Sequence, residues 1–282
     1  MLQLSMHKHI TLLKLGGALI TNKEVPNQLR PDVLRRLAQE IARAMHDNPD
    51  LRLVIGNGVG SYAHVPAARY KTMDGFIHED SKIGMAITQD SAAQINREVV
   101  AALIAEELPA VSVSPSNCLV TANKKAATYF TDVFEQYLQY DLLPVTHGDV
   151  IVDTQQGCTI WSTDTVFTFF AQEFVKRGWQ VNEIIHVTEA NGVWKMHEGK
   201  PLELNGRKEI FETITPAMRD EVKASMLSTK GFDVTGGMWH KLEEALLLTK
   251  LGITTRILSG LEPELVYKTL VGSQLSGTQV TA

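Results

Sequence analysis

Glycine-containing turns follow four of the predicted strands in this 282-residue chain. In chain order, the turns are formed by Gly16 and Gly17, by the run from Gly56 to Ser61, by Gly148, and by Gly236 and Gly237. Ligands of parallel α/β sheets bind at the carboxyl ends of strands, where glycine lets backbone N–H groups approach phosphate oxygens. One such turn would be weak evidence, but four together predict a site for more than one phosphate group.

Lysines accompany these turns. Lys14 ends the first predicted strand, Lys23 lies in the polar loop after it, and Lys241 follows Gly237 by one helical turn. Phosphoryl transfer depends mainly on positioning and on neutralising the charge of the moving group, so lysines that converge from separate loops suit that chemistry. The alternative is that each lysine is a solvated surface residue; this alternative is stronger for Lys23 than for Lys14.

Three further polar residues lie near the same turns. His64 follows the second turn, and a neutral imidazole can donate a hydrogen bond to a phosphate. Asp164 and Asp233 stand near strand ends, where a carboxylate can hold Mg²⁺ through water, orient lysines or cap a helix. No GxxxxGK[ST] loop is present, and the run from Gly56 to Gly60 resembles GxGxxG without the acidic ribose partner.

The composition restricts the class of protein. The formal net charge of −5 gives no general attraction to nucleic acid or to an anionic membrane, so neither is expected as a partner. Two cysteines, Cys118 and Cys158, are too few for a disulfide framework and indicate a reducing compartment. No window reaches the ~18 apolar residues of a membrane span, and we expect a cytoplasmic protein.

Strands and helices alternate along most of the chain, which predicts an α/β fold: a three-layer αβα sandwich with a mostly parallel central sheet. We expect a single domain over residues 1–282, with an acceptor-binding lobe at about 1–160 and a nucleotide-binding lobe at about 161–282. The predicted helices are 31–46, 82–108, 129–139, 165–176 and 238–250, with one more before residue 231. The predicted strands are 9–15, 51–55, 110–113, 142–146, 150–153, 181–188, 254–258 and 278–280, with a hairpin-like region at 191–210.

Five segments together resemble the amino acid kinase family and, within it, the isopentenyl phosphate kinases. They are KLGGALITNK (14–23), GSYAHVPAARY (60–70), GDVIVDTQQGCTIWSTD (148–164), DVTGGMWHK (233–241) and LSGLEPELVYKTLVGSQLSGT (258–278). They span nearly the whole chain in the family's order. The histidine after the second glycine turn and the DVTGGM loop mark the narrower branch.

The resemblance implies a homodimer that uses ATP with Mg²⁺ to convert isopentenyl phosphate to isopentenyl diphosphate. It assigns catalysis to Lys14, Lys23 and His64, and names no metal-ligating side chain. The residues implied for the nucleotide are Lys14, Gly16, Gly17, Ala18, Gly60, Asp164, Glu189, Asp233, Gly236, Gly237 and Lys241. Those implied for the acceptor are Val59, Gly60, Ser61, His64, Thr163, Phe76 and Ile83.

The chain departs from the family pattern at several positions. Ala18 replaces a serine, Thr163 replaces a glycine, and Asn57 to Val59 stand where a glycine triplet is usual. The segment from Thr188 to Val193 replaces TDVDGV and brings in Glu189. The residues that the resemblance implies for adenosine binding are therefore those that match the family pattern least well.

Apolar residues between His64 and the long helix suggest a tunnel for a prenyl tail, in which each buried CH₂ is worth about 0.8 kcal/mol. They are Met73, Phe76, Ile77, Ile83, Met85 and Ile87. Ordinary core packing explains the same residues about as well. Two other functions stay open: a phosphonate kinase resembling the fosfomycin-phosphorylating branch, and a non-catalytic nucleotide-binding protein.

Overall fold

A computed structural model describes residues 8–198, 200–204, 206–227 and 237–282. The predicted loop with Asp233 and Gly236 lies outside the described residues. The helices within the described part are α1 Gly17–Ile20, α2 Pro31–Asp47, α3 Gly60–Tyr70, α4 Ser81–Ala105, α5 Asp132–Gln139, α6 Thr163–Lys176, α7 Arg219–Leu227, α8 Trp239–Leu248 and α9 Leu265–Leu270. None of these helices combines the length and the apolarity that crossing a membrane requires.

The strands of the same ranges form one large sheet, a second sheet and three short pairs. They are β1 His9–Leu15, β2 Leu53–Asn57, β3 Ala110–Ser112, β4 Leu119–Ala122, β5 Lys125–Tyr129, β6 Leu143–His147, β7 Asp149–Asp153, β8 Gly157–Trp161, β9 Gln180–Thr188, β10 Val193–Trp194, β11 Met196–His197, β12 Lys200–Pro201, β13 Glu203–Leu204, β14 Arg207–Lys208, β15 Ile210–Phe211, β16 Thr213–Ile214, β17 Thr254–Ser259 and β18 Thr278–Val280.

The large sheet has the order β16-β18-β17-β9-β1-β2-β6-β3 in the described part of the chain. Its neighbouring strands are parallel, except that β17 and β18 are antiparallel. The strand β1 lies between β2 and β9, so its two edges are both paired. Parallel strands bring their carboxyl ends to one edge of the sheet, which is where the glycine turns occur.

Both faces of β1 are buried, as expected for a parallel sheet covered by helices. Ile10 and Leu12 face a core with α5, α6 and α8, whereas Leu13 and Leu15 face a core with α2, α4 and α9. These two cores confirm the three-layer αβα sandwich predicted from the sequence. The alternation also places Lys14 on the face that α6 and α8 cover.

The second sheet, β5-β4-β7-β8, was only partly predicted. Of its strands, β7 was predicted and β4, β5 and β8 were not, and the helix predicted from residue 129 begins only at Asp132, as α5. Asn123 and Lys124 join β4 to β5 with φ of 49° and 65°, the conformation of a type I′ hairpin turn. The helical prediction at 129 was wrong because this hairpin uses residues 125–129 as a strand.

Candidate functional site

The first two glycine turns touch each other through bare backbone. A Cβ on Gly17 would lie 2.3 Å from the Gly60 nitrogen, and one on Gly58 would lie 2.5 Å from the Gly17 nitrogen. Gly60 has φ of +51°, and a Cβ there would lie 2.1 Å from Oγ1 of Thr21. Side chains at these positions would force the turns apart, so glycine is what lets the ends of β1 and β2 meet.

Gly16 has a different role from that of Gly17. Its N–H donates to the Val187 carbonyl at 2.8 Å, and a Cβ on Gly16 would lie 2.9 Å from the same oxygen. The N–H of Gly16 thus holds β1 to β9. Ala18 follows in the short helix α1 and is half-buried.

Asn57, at the end of β2, links three other segments to the glycine turns. Its carbonyl accepts from the Thr163 hydroxyl at 2.7 Å and from the Gly148 N–H at 3.3 Å. Its side-chain oxygen accepts from Nδ2 of Asn96 at 2.9 Å, and its own Nδ2 donates to the Gly58 carbonyl at 3.3 Å. The third turn and the start of α6 therefore lie at the same edge as the first two turns.

The buried centre of this edge is an ion-pair cluster. Nζ of Lys14 lies 2.6 Å from Oδ2 of Asp164, and Nζ of Lys241 lies 2.7 Å from Oδ1. All three side chains are at most 10% exposed. The two predicted phosphate-binding lysines, which lie near opposite ends of the chain, thus contact one carboxylate. The cluster carries one excess positive charge when both lysines are protonated.

The electrostatics of the cluster follow from this arrangement. Burial alone would raise the pKa of Asp164, but Lys14 and Lys241 outweigh it and hold that pKa well below its ordinary value. Burial lowers the pKa of Lys14 to about 8, although Asp164 opposes the shift. The N-cap of α6 is Ser162, whose Oγ accepts from the Thr165 N–H at 3.2 Å. Of the roles considered for Asp164, the geometry therefore favours orienting the lysines.

His186 belongs to the same cluster and was not predicted as a site residue. It is paired with Lys14 in the β1–β9 register, is 5% exposed, and has Nδ1 3.2 Å from Oδ1 of Asp164. The available signal was a histidine near the end of an otherwise apolar strand pattern, Ile184 to Val187. Asn57 and Asn96 were also missed, since a buried amide network leaves no periodic trace in a sequence.

Lys23 lies outside the buried cluster. Its ammonium group is exposed and lies 3.2 Å from Oε2 of Glu189, and Oε1 of Glu189 accepts from Arg30 at 2.8 Å. Glu189 directly follows β9, which is the strand next to β1. Lys23 is therefore held near the same sheet edge by a different carboxylate from the one that holds Lys14 and Lys241.

Four of the predicted acceptor residues, including Gly60, lie at the start of α3. Val59 is its N-cap, Ser61 is buried and donates its N–H to Oγ1 of Thr21 at 3.1 Å, and His64 is exposed one turn beyond Gly60. Thr163 already donates its hydroxyl to Asn57, so any phosphate contact at Thr163 would use its backbone N–H in the first turn of α6.

The apolar residues assigned to a tail-binding tunnel lie on the surface. Phe76 is 41% and Ile83 is 53% exposed, and Met73, Ile77 and Ile87 are also exposed, whereas Met85 is half-buried. Core packing, the alternative considered above, is therefore wrong for these exposed residues. The ring of Phe76 lies against Gly157, where a Cβ would be 2.3 Å from the ring.

A cleft of about 650 Å³ opens beyond Glu189, where β9 and β17 end. Its walls include Trp194, Lys208 and Ser259, and Nζ of Lys208 lies 3.8 Å from the centre of the Trp194 ring. Gly237, on the approach to α8, is exposed with open space around its Cα. The cleft adjoins the Lys23 and Glu189 pair and is large enough for part of a nucleotide.

Comparisons with known proteins point to one family. The sequence model of the amino acid kinase family matches residues 9–259. The chain is 28% identical to the isopentenyl phosphate kinase of Methanocaldococcus jannaschii, covering 96% of this chain and 98% of that protein. It is 28% identical to the isopentenyl phosphate kinase of Methanothermobacter thermautotrophicus with the same coverage, and 26% identical to that of Arabidopsis thaliana, covering 87% and 86%.

Solved structures give the same picture. A crystal structure of an isopentenyl phosphate kinase superposes with a TM-score of 0.78 at 26% identity, covering 96% of this chain and 100% of that one. The substrate complex of an isopentenyl phosphate kinase superposes with a TM-score of 0.69 at 19% identity, covering 96% and 100%, which shows the shared fold.

Proposed function

Because the chain belongs to the amino acid kinase family, we propose that it transfers the γ-phosphoryl group of ATP to isopentenyl phosphate, giving isopentenyl diphosphate and ADP. The observation that carries the proposal is the buried pairing of Lys14 and Lys241 on Asp164, at the edge where the glycine turns meet. The names of relatives that align over nearly their whole length support the choice of acceptor.

The nucleotide would lie across this edge. A polyphosphate needs several donors that do not have to reorganise, and two oriented ammonium groups beside closely packed glycines supply them. Lys14, Lys241, Gly17 and the backbone of Ala18 would hold its phosphates. The cleft beyond Glu189 would take the nucleoside, and Gly237 would lie between the two.

The acceptor would approach from α3. Its phosphate would meet the backbone N–H of Gly60 and the imidazole of His64, in the first turns of a helix whose N-terminus favours anions. Lys23 would stabilise the charge that develops on the transferred group. A phosphate oxygen is already anionic near neutral pH, so the reaction needs no strong general base.

Mg²⁺ is the expected companion of ATP, and the described residues bear on how it would be held. No group of three or more metal-ligating side chains occurs among them, and both oxygens of Asp164 accept from lysines. We propose that Mg²⁺ reaches the site bound to the nucleotide phosphates, as it does where one or two protein contacts suffice. There it would offset phosphate charge.

The exposed apolar surface that contains Phe76 and Ile83 would cover the prenyl tail. It lies on the segment that follows α3, so it is continuous in sequence with the helix that carries His64. The close crossing of α3 and α4, where a Cβ on Gly84 would lie 2.3 Å from the Tyr70 side chain, fixes the distance between that helix and Ile83.

An ADP-release assay with isopentenyl phosphate, dimethylallyl phosphate and fosfomycin tests the proposal. We expect turnover with isopentenyl phosphate and its loss in Lys23→Ala. Turnover only with fosfomycin would identify a phosphonate kinase instead. Nucleotide binding without turnover of any acceptor would identify a non-catalytic binder.

The lobe assignment, the homodimer and the cytoplasmic location stay proposals. In the first, residues up to about 160 bind chiefly the acceptor and residues from about 161 bind chiefly the nucleotide. Sedimentation of the purified chain would test the homodimer.

A further inference from the structure

His186 is the one member of the buried cluster to which the proposed reaction assigns no task. Its side chain comes from β9, beside Lys14 on β1, and points into the space where Asp164 from α6 and Lys241 from α8 also end. On the other side of β9, its neighbour in β17 is Ile257, which carries no charge. Among the residues that the structure describes, the titratable groups that face His186 are therefore Asp164, Lys14 and Lys241.

The geometry of the ring nitrogen is unusual for a buried group. Nδ1 of His186 is 3.2 Å from Oδ1 of Asp164, yet the two atoms form no hydrogen bond, and no other described residue provides a partner for Nδ1. Unsatisfied buried nitrogens are costly and rare. A small movement of the carboxylate would complete the bond.

The charge state of the imidazole follows from its surroundings. Burial, together with Lys241, lowers the pKa of His186 well below its ordinary value, so the ring is neutral near neutral pH. A neutral ring carries one proton, and the nitrogen that faces a carboxylate is the one that bears it. The proton is then on Nδ1, which faces Oδ1 of Asp164 and can donate to it once the carboxylate moves, and Nε2 carries no proton.

We propose that His186 is a positioning residue that acts on Lys14 and Lys241 through Asp164. Oδ1 is shared between Lys241 and His186. A bound polyphosphate would attract the ammonium groups of Lys14 and Lys241 away from Asp164. The imidazole N–H of His186 would remain beside Oδ1 and would replace part of the stabilisation that the carboxylate had received from the lysines. The carboxylate of Asp164 then stays ionised and keeps its orientation. Movement of the two ammonium groups from Asp164 to the phosphates therefore costs less free energy.

Two replacements of His186 separate this role from simple packing. His186→Asn keeps an N–H donor near the position of Nδ1, whereas His186→Leu fills the space with apolar atoms. The inference rests on the proposed use of ATP, so the measured quantity is the dissociation constant for ATP without any acceptor. We expect His186→Leu to weaken ATP binding about tenfold, the low end for a lost hydrogen bond to a charged group, and His186→Asn to stay within about threefold of wild type.

The opposite order would overturn the inference. If packing were the whole role, leucine would be the better tolerated residue in a buried strand, and the buried amide of asparagine would be the harmful one. The free energy of unfolding of both variants is measured in denaturant in parallel. This measurement shows whether a loss of ATP binding is caused only by unfolding of the variant.

A second test measures the protonation of the His186 ring directly in the wild-type protein and does not depend on turnover. Long-range ¹⁵N–¹H spectra report which nitrogen of each histidine is protonated, and the signals of His186 are those that disappear in His186→Asn. We expect the Nδ1–H form without ATP. The Nε2–H form would overturn the inference. Turnover of isopentenyl phosphate is recorded separately, so a failure of the proposed function leaves this result interpretable.

Discussion

Lys14 and Lys241 donate to opposite oxygens of one buried carboxylate, although they lie near opposite ends of the chain. The carboxylate of Asp164 separates their like charges and leaves one positive charge in excess. This arrangement places a local excess of positive charge at the sheet edge of a chain whose formal net charge is −5.

Replacing Asp164 by asparagine should weaken both stability and catalysis. Removing one partner of a buried ion pair typically costs about 3–5 kcal/mol, because the remaining charge is left without compensation. We expect a lower free energy of unfolding in urea and a loss of kcat/KM for ATP of at least about a hundredfold.

Glu183→Gln is the matched control, because Glu183 pairs at 2.8 Å with the buried Arg256 away from the phosphate edge. It should lower stability while leaving the KM for ATP near that of wild type. Equal losses of ATP affinity in the two variants would mean that Asp164 acts only on stability.

The binding of ATP should weaken as the pH rises above about 8. Burial places the pKa of Lys14 at about 8 rather than 10.5, so the free protein loses this ammonium group within that range. Calorimetric titration with ATP between pH 7 and 9.5 measures the effect. Affinity that is constant to pH 9.5 would contradict the assigned role of Lys14.

The same pKa sets the direction of a stability change. Between pH 8 and 10.5 the unfolded chain retains a proton that the folded Lys14 has lost, so this group makes the free energy of unfolding rise with pH across the window. The comparison of wild type with Lys14→Met in urea at pH 7.5 and 9.5 isolates the contribution, which should be absent in the variant.

Gly60→Ala should disrupt the contact between the two glycine turns. The new Cβ would lie 2.1 Å from Oγ1 of Thr21 and would also require a left-handed backbone conformation, which costs about 1–3 kcal/mol. We expect reduced stability and turnover below about 1% of wild type, since the Gly60 amide that is proposed to bind the acceptor phosphate moves.

Gly178→Ala is the control that separates the effect of backbone strain from the effect of a steric clash. Gly178 has φ of +79°, but no atom lies within 4 Å of the position that a Cβ would take there. This variant should lose only the stability that the backbone conformation costs and should keep full turnover. Similar turnover in the two variants would show that the packed turns are unimportant for catalysis.

Alanine at Phe76 or Ile83 should change the preference for tail length. Each buried CH₂ contributes about 0.8 kcal/mol, so a shortened surface side chain favours longer prenyl monophosphates over isopentenyl phosphate by several-fold in kcat/KM. Ile104→Ala, at the far end of α4 and 54% exposed, is the control. An unchanged ratio in all three variants would exclude this surface from tail binding.

Much of the fold follows from local patterns in the sequence. The buried strand β1, the amphipathic helix α2 and the final strand β18 were predicted with almost their observed limits, because hydrophobic period and turn residues agree there. The hairpin of β4 and β5 was missed, since its strand β5 is mostly exposed and offers no apolar alternation.

The site was predictable only in part. Several glycine turns with lysines beside them together indicate phosphate chemistry, so Lys14 and Lys241 could be named. That they meet on Asp164, with His186 beside them, depends on the order of strands and on the packing of α6 and α8. Lys23 was expected among the same group, but its partner is Glu189, a residue that departs from the family pattern.

The placement of β1 between β2 and β9 has a consequence for the order of folding. During synthesis, β1 and β2 are available early, whereas β9 and the helix that carries Lys241 emerge much later. The edge of β1 that pairs with β9 therefore stays unpaired until β9 has been synthesised. That pairing closes a long loop, which slows folding. Nucleotide binding at this edge would require that α8 has already been synthesised and packed, and a chain truncated before α8 would lack the Lys241 side of the phosphate site.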